Sequence, residues 1–393
     1  MGDTEMSSTN VTIAAGPRSQ PEPFEIHVEA AVLSDLHVRL RETRWGDVAD
    51  DDGWKLGTNP GYLRDLVTYW AHQYDWSVQE AALNRVPQFT AAVDRARLHF
   101  VHAKDGAPRL PLLLLHGWPD SFYRFHKVIP RLRETFEVVV PSLPGFGFTG
   151  PVRRSSPEQQ NRQSAQLLWR LMTEVLGHRR FAVAGGDGGS ALAQLLAIDH
   201  PESVVGIHLT DLGWHVANAD RSKVSKVERK YLEAGEKRFM ADGAYVMVQS
   251  TRPQSLAPAL NDSPVALAAW IVDRFHSWSD AFEVAFPKDE LLTNIMIYWV
   301  TQTIGPSMES YRAEVVSPSL SVADHVDVPV GLALFPNDIG GIPPRAFAER
   351  TLNVQRWTEM PRGGHFAAWE EPELYAGDVT SFFQAVGGSW GAI

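Results

Sequence analysis

Short apolar runs with no polar alternation recur through this chain: "LPLLLLHG", "FEVVVPSLP", "RFAVAGG", "SVVGIHLT" and "VPVGLALFP". A strand solvated on one face alternates apolar and polar residues, so unbroken runs of this length belong to strands covered on both faces. Between them lie helical patterns, notably "EQQNRQSAQLLWRLMTEVLG" and "GSALAQLLAIDHP". Strands alternating with helices predict an α/β fold, a mostly parallel sheet with helices on both faces and right-handed crossovers. The runs "ARLHFVHAK" and "VQRWTEMP" extend the series at its two ends.

The alternation divides the chain. Residues 1–20 form a polar leader, expected to be disordered, with no basic start or apolar stretch of a signal peptide. Residues 21–95 read as an aromatic-rich helical segment packing on the core, and residues 96–215 as the first part of that core. Between residues 216 and 320 the strands stop and charged, then Trp-rich, helical patterns take over; this reads as a helical cap inserted over the carboxyl edge of the sheet. Residues 321–393 complete the core.

Composition removes several classes of function. The net charge is −11 with no basic tract, which leaves nothing to grip a nucleic-acid backbone. The absence of cysteine excludes disulfides, thiolate catalysis and Cys-ligated metal or iron–sulfur sites. No apolar run approaches the roughly 18 residues of a membrane span, so no membrane anchor is expected and the cytoplasm is the expected location. "PGFGFTG" fits a dinucleotide pattern only formally, since Pro151 follows where a helix should open. No cofactor and no metal is expected.

The chemistry concentrates at strand ends. In "VAGGDGGSALA" an apolar strand meets a glycine cluster and a helix of small residues, with Asp187 at the tip. Strand, sharp turn and helix around one reactive side chain is a nucleophile elbow, and the helix start favours a carboxylate there. Asp338 in "GLALFPNDIGG" and His365 in "EMPRGGHFAAWEEP" follow two later strands. The order Asp187, Asp338, His365 is that of nucleophile, acid and base in α/β-hydrolases. "LLLLHGWPDS" adds a turn after an early strand that can aim the Trp118 N–H, with the Gly188 N–H, at developing negative charge. His116 reads as a buried histidine bracing that turn.

An aspartate nucleophile narrows the reaction. Serine attacking a saturated carbon leaves an ether, which activated water does not clear. A carboxylate leaves an alkyl ester, which water hydrolyses at its carbonyl. Asp187 therefore points to displacement at sp³ carbon, on an epoxide or an alkyl halide. An epoxide departs as an alkoxide and needs a nearby acid, whereas a halide needs only hydrogen-bond donors.

Taken together, these motifs resemble the microsomal-type epoxide hydrolases, which carry an N-terminal epoxide hydrolase segment, in a soluble, bacterial-like form. The resemblance runs from residue 21 to the end and adds "YLRDLVTYWAHQYDW", "ALNDSPVALAAWI", "LLTNIMIYWVTQTI" and "MPRGGHFAAWEEPEL". It implies an α/β-hydrolase fold with an eight-stranded-type sheet, no cofactor, and a hydrophobic small-molecule epoxide converted to a vicinal diol. It implies Asp187 as nucleophile, His365 as base and Asp338 as orienting acid, where relatives often have glutamate. Only the resemblance marks Tyr245 in "GAYVMVQ" and Tyr311 in "MESYRAE" as the ring-opening pair. Relatives also commonly place a large aromatic after the nucleophile, where this chain has Gly188.

A haloalkane dehalogenase would use the same triad, but usually with a halide-binding Trp after the nucleophile and often Asn at the Trp118 position. A catalytically silent relative that binds a hydrophobic small molecule would not need the triad intact. Breakdown and natural-product roles both fit this sequence, and a homodimer is left open.

Overall fold

The computed structural model describes residues 20–46, 53–106, 108–150, 152, 160–213, 223–321 and 323–387. The expected leader falls outside these, apart from its last residue, and so does the expected boundary at 216.

Nine strands form one sheet: β1 (Glu22–Phe24), β2 (Gln88–Val93), β3 (Ala96–Ala103), β4 (Leu110–Leu115), β5 (Phe136–Pro141), β6 (Phe181–Gly185), β7 (Val204–Leu209), β8 (Val326–Leu334) and β9 (Leu352–Glu359). Their order is β1-β2-β3-β5-β4-β6-β7-β8-β9. The pairings from β1 to β5 are antiparallel and those from β5 to β9 parallel. The bare apolar runs sit where double coverage demands them, and Leu112 to Leu115 on β4 are fully buried.

Two strands fall within residues 21–95, β1 inside the stretch read as helical up to "RVPQF" and β2 just beyond it, and they extend the expected eight-stranded-type sheet. β2 and β3 are a hairpin closed by Asp94 and Arg95, with Val93 opposite Ala96 and Asp94 at φ 52°. That turn contains no glycine or proline, so the usual punctuation is missing. β1 is three residues long and contains Pro23, which an edge strand tolerates because one side of its backbone makes no ladder hydrogen bonds.

Register brings the chemistry together. Leu115 of β4 pairs with Gly185 of β6, Gly185 with Leu209 of β7, and Leu209 with Leu332 of β8. The residues just beyond this row, from His116, Gly186 and Thr210, therefore emerge side by side at the carboxyl edge. Helices between β7 and β8 run from Lys226–Asp242 through Ile304–Val316. The first starts on a capping box in which Ser225 accepts from Glu228 N–H and the Glu228 side chain accepts from Ser225 N–H.

The amino-terminal segment ties back on itself, joins the sheet through the β2–β3 ladder and contacts the helices between β7 and β8. Ile26 exchanges two hydrogen bonds with the Asn84 side chain, at 2.9 and 2.8 Å. Tyr69 donates to Asp289 Oδ1 at 2.8 Å, and the Tyr74 and Thr293 hydroxyls lie 3.1 Å apart. Among the described residues no helix is long and apolar enough to cross a membrane.

Candidate active site

Asp187 stands between the end of β6 and the helix Gly188–Asp199, at φ 55° and ψ −127°. A non-glycine residue with positive φ costs about 1–3 kcal/mol and persists only where its surroundings hold it. Two glycines make room for it. A Cβ at Gly189 would lie 2.1 Å from the Leu115 carbonyl oxygen, and one at Gly117 would lie 2.2 Å from Asp187 Oδ1. Gly188 is different, because a Cβ there meets only Gly117 Cα, at 3.8 Å. The turn does not require glycine at 188.

The Asp187 carboxylate has two distinct sides. Oδ1 accepts the Trp118 N–H at 2.9 Å, and the nearby Gly188 N–H favours the charged carboxylate. Oδ2 faces His365, whose Nε2 lies 3.4 Å away. On its far side His365 Nδ1 pairs with Asp338 Oδ2 at 2.8 Å, and Asp338 Oδ1 accepts the Gly340 N–H at 2.7 Å. The Asp187 side chain keeps 16 % exposure and His365 only 2 %, so a molecule entering the cleft meets the carboxylate first. The three residues read from strand ends thus form one chain of contacts.

Burial alone would push the Asp187 carboxyl up. Hydrogen bonding to His365, the imidazolium charge and the N–H groups of Trp118 and Gly188 outweigh it and hold Asp187 below the ordinary aspartate value. Burial alone would push His365 down. The Asp338 charge and hydrogen bonds to Asp187 and Asp338 prevail and raise it to about 10. At neutral pH the resting site holds an imidazolium between two carboxylates.

Two further residues brace this arrangement. Asp120 Oδ1 accepts the Gly117 N–H at 2.8 Å, while Oδ2 pairs with Arg124. Arg124 in turn donates to the His365 carbonyl at 2.5 Å, joining the β4 turn to the histidine loop. Their four-residue spacing in "HGWPDSFYR" was the available sequence signal. His116 is fully buried and its Nε2 accepts the Leu143 N–H at 3.1 Å, the bracing role expected for it.

Tyr245 and Tyr311 come from separate helices, Ala244–Thr251 and Ile304–Val316. Tyr245 stacks on Trp118 with centroids 5.5 Å apart and planes at 5°, and Tyr311 meets the same indole edge-on at 5.8 Å. The two phenol rings are 5.9 Å apart. Burial first, and then the Asp187 charge, raise both hydroxyls above the ordinary phenol value, so both stay protonated. A cleft open to solvent reaches Asp187 past Leu143, Phe146, Gly188, Leu192 and Tyr311.

Asp211, which the sequence reading passed over, stands just beyond β7. Its carboxylate accepts the Asp187 N–H at 2.7 Å. A carboxylate at a strand's carboxyl end was the signal that identified Asp338, and it applies equally here. Away from the cleft, His102, Glu137 and His178 are the one group among the described residues with ligand atoms close enough to share a metal ion. Glu137 Oε1 already lies 2.6 Å from His102 Nε2 and 3.3 Å from His178 Nε2, a close polar cluster near the opposite edge of the sheet.

Comparison with known proteins identifies the family and the fold. The "Epoxide hydrolase N terminus" family model matches residues 21–125, and the "alpha/beta hydrolase fold" model matches residues 111–372. Epoxide hydrolase 1 of Sus scrofa is 34 % identical over 93 % of this chain and 91 % of its own length. Juvenile hormone epoxide hydrolase 1 of Ctenocephalides felis is 31 % identical over 91 % and 84 %. The structure of Aspergillus niger epoxide hydrolase superposes with a TM-score of 0.83 at 27 % identity, covering 93 % of this chain and 97 % of that one. With sequence relatives spanning nearly its whole length and the matching sheet beneath them, this chain belongs to the microsomal-type epoxide hydrolase family of the α/β-hydrolase superfamily.

Proposed function

We propose that this protein hydrolyses a hydrophobic epoxide to a vicinal diol through an ester on Asp187. The observation that carries the reading is the division of labour within one carboxylate. Oδ1 is held by the Trp118 N–H, while Oδ2 faces the histidine, and the residue lines the cleft.

In the first step Asp187 Oδ2 attacks a ring carbon, and the C–O bond breaks toward the hydroxyls of Tyr245 and Tyr311. The departing oxygen becomes an alkoxide and takes a proton. His365 carries a proton in the resting site, and esterification removes the Asp187 charge that helped hold it. Ring opening thus consumes one proton just as the histidine must shed one to become a base.

In the second step water deprotonated by His365 attacks the Asp187 ester carbonyl. Oδ1 becomes the oxyanion, already seated on the Trp118 N–H, with the Gly188 N–H also favouring charge on this carboxyl group. The adduct collapses by breaking the bond from the carbonyl carbon to Oδ2, so that the diol leaves with Oδ2 and takes the second water proton while His365 keeps the first. Asp338 orients the imidazole through Nδ1 and stabilises its charge.

Isotope labelling tests this sequence of bonds. After a single turnover of styrene oxide in heavy-oxygen water, label is expected in the Asp187 carboxylate, because water attacks the ester carbonyl. The diol's new oxygen then comes unlabelled from Asp187. Label confined to the diol would mean that water opened the ring directly.

Gly188 supports a bulky substituent next to the reacting carbon, since the space there is open and the turn does not require glycine. Gly188→Trp is expected to fold and to keep activity on propylene oxide. It should lose about 10- to 200-fold in kcat/KM on stilbene oxide, the range a single pocket contact can impose. Equal loss on both substrates would remove position 188 from substrate selection.

A further inference from the structure

We propose that Asp211 is the positioning residue for the nucleophile: its carboxylate holds the Asp187 backbone in the conformation that aims the side chain into the cleft. This rests on reading Asp187 as the nucleophile.

The geometry is specific to a carboxylate. Asp211 Oδ2 accepts the Asp187 N–H at 2.7 Å, and Oδ1 accepts the Gly213 N–H at 2.7 Å. Gly213 has φ 63°, so the chain turns back on itself around this side chain. Two backbone donors thus require an acceptor on each oxygen. An asparagine has one acceptor oxygen and would point its NH₂ group at the other donor.

Asp187 cannot supply this support itself. It occupies the N-cap position of the helix Gly188–Asp199, yet its side chain makes no capping hydrogen bond, being turned instead to the Trp118 N–H. Its own N–H would be left unpaired at a partly buried, positive-φ position without Asp211. The cost would fall on the residue whose orientation decides the reaction.

The surroundings make this tether sensitive to pH. Asp187 faces Asp211 from the elbow, Asp338 and His365 from the loops after β8 and β9, Tyr231 from the helix Lys226–Asp242, and Thr210 from its own strand end. Burial first, then the Asp338 charge, push the Asp211 carboxyl up to about 6, against the opposing pull of His365 and the Asp187 N–H. Protonation puts a hydrogen on one of the two accepting oxygens. The other titratable groups of the first step do not titrate in that range: Asp187 lies below the ordinary aspartate value, resting His365 near 10, and the Tyr245 and Tyr311 hydroxyls above the ordinary phenol value.

The test is the rate of ester formation on the full-length protein, followed by quenching single turnovers of styrene oxide and weighing the Asp187 peptide. In the unaltered enzyme that rate should rise as pH passes through about 6. Asp211→Asn should lower it by roughly ten- to a hundredfold, the scale of a small misplacement of a reacting group. The variant should also flatten the profile and leave KM nearly unchanged. A merely structural residue would lower Tm while leaving the pH profile in place. A variant with the original rate and profile overturns the proposal. If Asp211→Asn does not fold, the profile of the unaltered enzyme decides, and a rate that is flat from about pH 5 to 7.5 overturns it. Turnover with no ester in either protein instead overturns the nucleophile assignment, and this proposal with it.

Discussion

His365→Gln is expected to form one ester per chain and stop there, with substrate mass held on Asp187. Glutamine is neutral, close to histidine in reach, and unable to take a proton from water. Ester formation needs the Asp187 carboxylate and an acid for the ring oxygen, so it should proceed, more slowly because the stored imidazolium proton is gone. Hydrolysis needs the base directly and should slow by about 10²- to 10⁴-fold, the usual contribution of a positioned general base. Intact-mass measurement should then show one substrate per chain, and steady-state diol formation should nearly vanish. A folded variant that gains no mass from a substrate in excess would place the histidine in the first step instead.

The double variant Tyr245→Phe with Tyr311→Phe should fail one step earlier. Its ring-opening rate should fall by at least about a thousandfold, since removing one donor from a developing oxyanion typically costs 10²–10³. Either single variant should lose less, because the remaining hydroxyl still faces the departing oxygen. No ester should accumulate from styrene oxide. A bromoalkane provides the control, since bromide leaves without a proton. Any slow ester formed from it should be no slower in the double variant than in the parent. Equal losses on both electrophiles would mean that the tyrosines shape the cleft rather than assist the leaving group.

The parallel strands and the residues at their ends were legible because burial on two faces leaves an unmistakable pattern. Asp187, Asp338 and His365 inherit their visibility from β6, β8 and β9. β2 was hidden by its Asp94–Arg95 turn, and β1 by Pro23, since both depart from the usual signals while breaking no physical rule. Tyr245 and Tyr311 have no local signature, because they meet only through packing on Trp118. Family resemblance was the sole route to them. Asp211 had the right position but no motif around it, and only the contact with the Asp187 N–H distinguishes it. Gly188 taught the opposite lesson. It sits among the glycines of a tight turn, yet its neighbours Gly117 and Gly189 are the ones packing cannot spare.

The aromatic packing around the carboxylate also has an optical side. Trp118 carries the N–H that holds Asp187 and stacks on Tyr245, while the Trp278 indole lies 5.2 Å from the His365 ring. Protonated imidazole quenches indole emission at such range more strongly than the neutral ring does. When His365 gives up its proton, Trp278 should brighten. The chain thus carries its own lamp beside the reacting atoms, and the change of protonation state in the cycle becomes visible without any label.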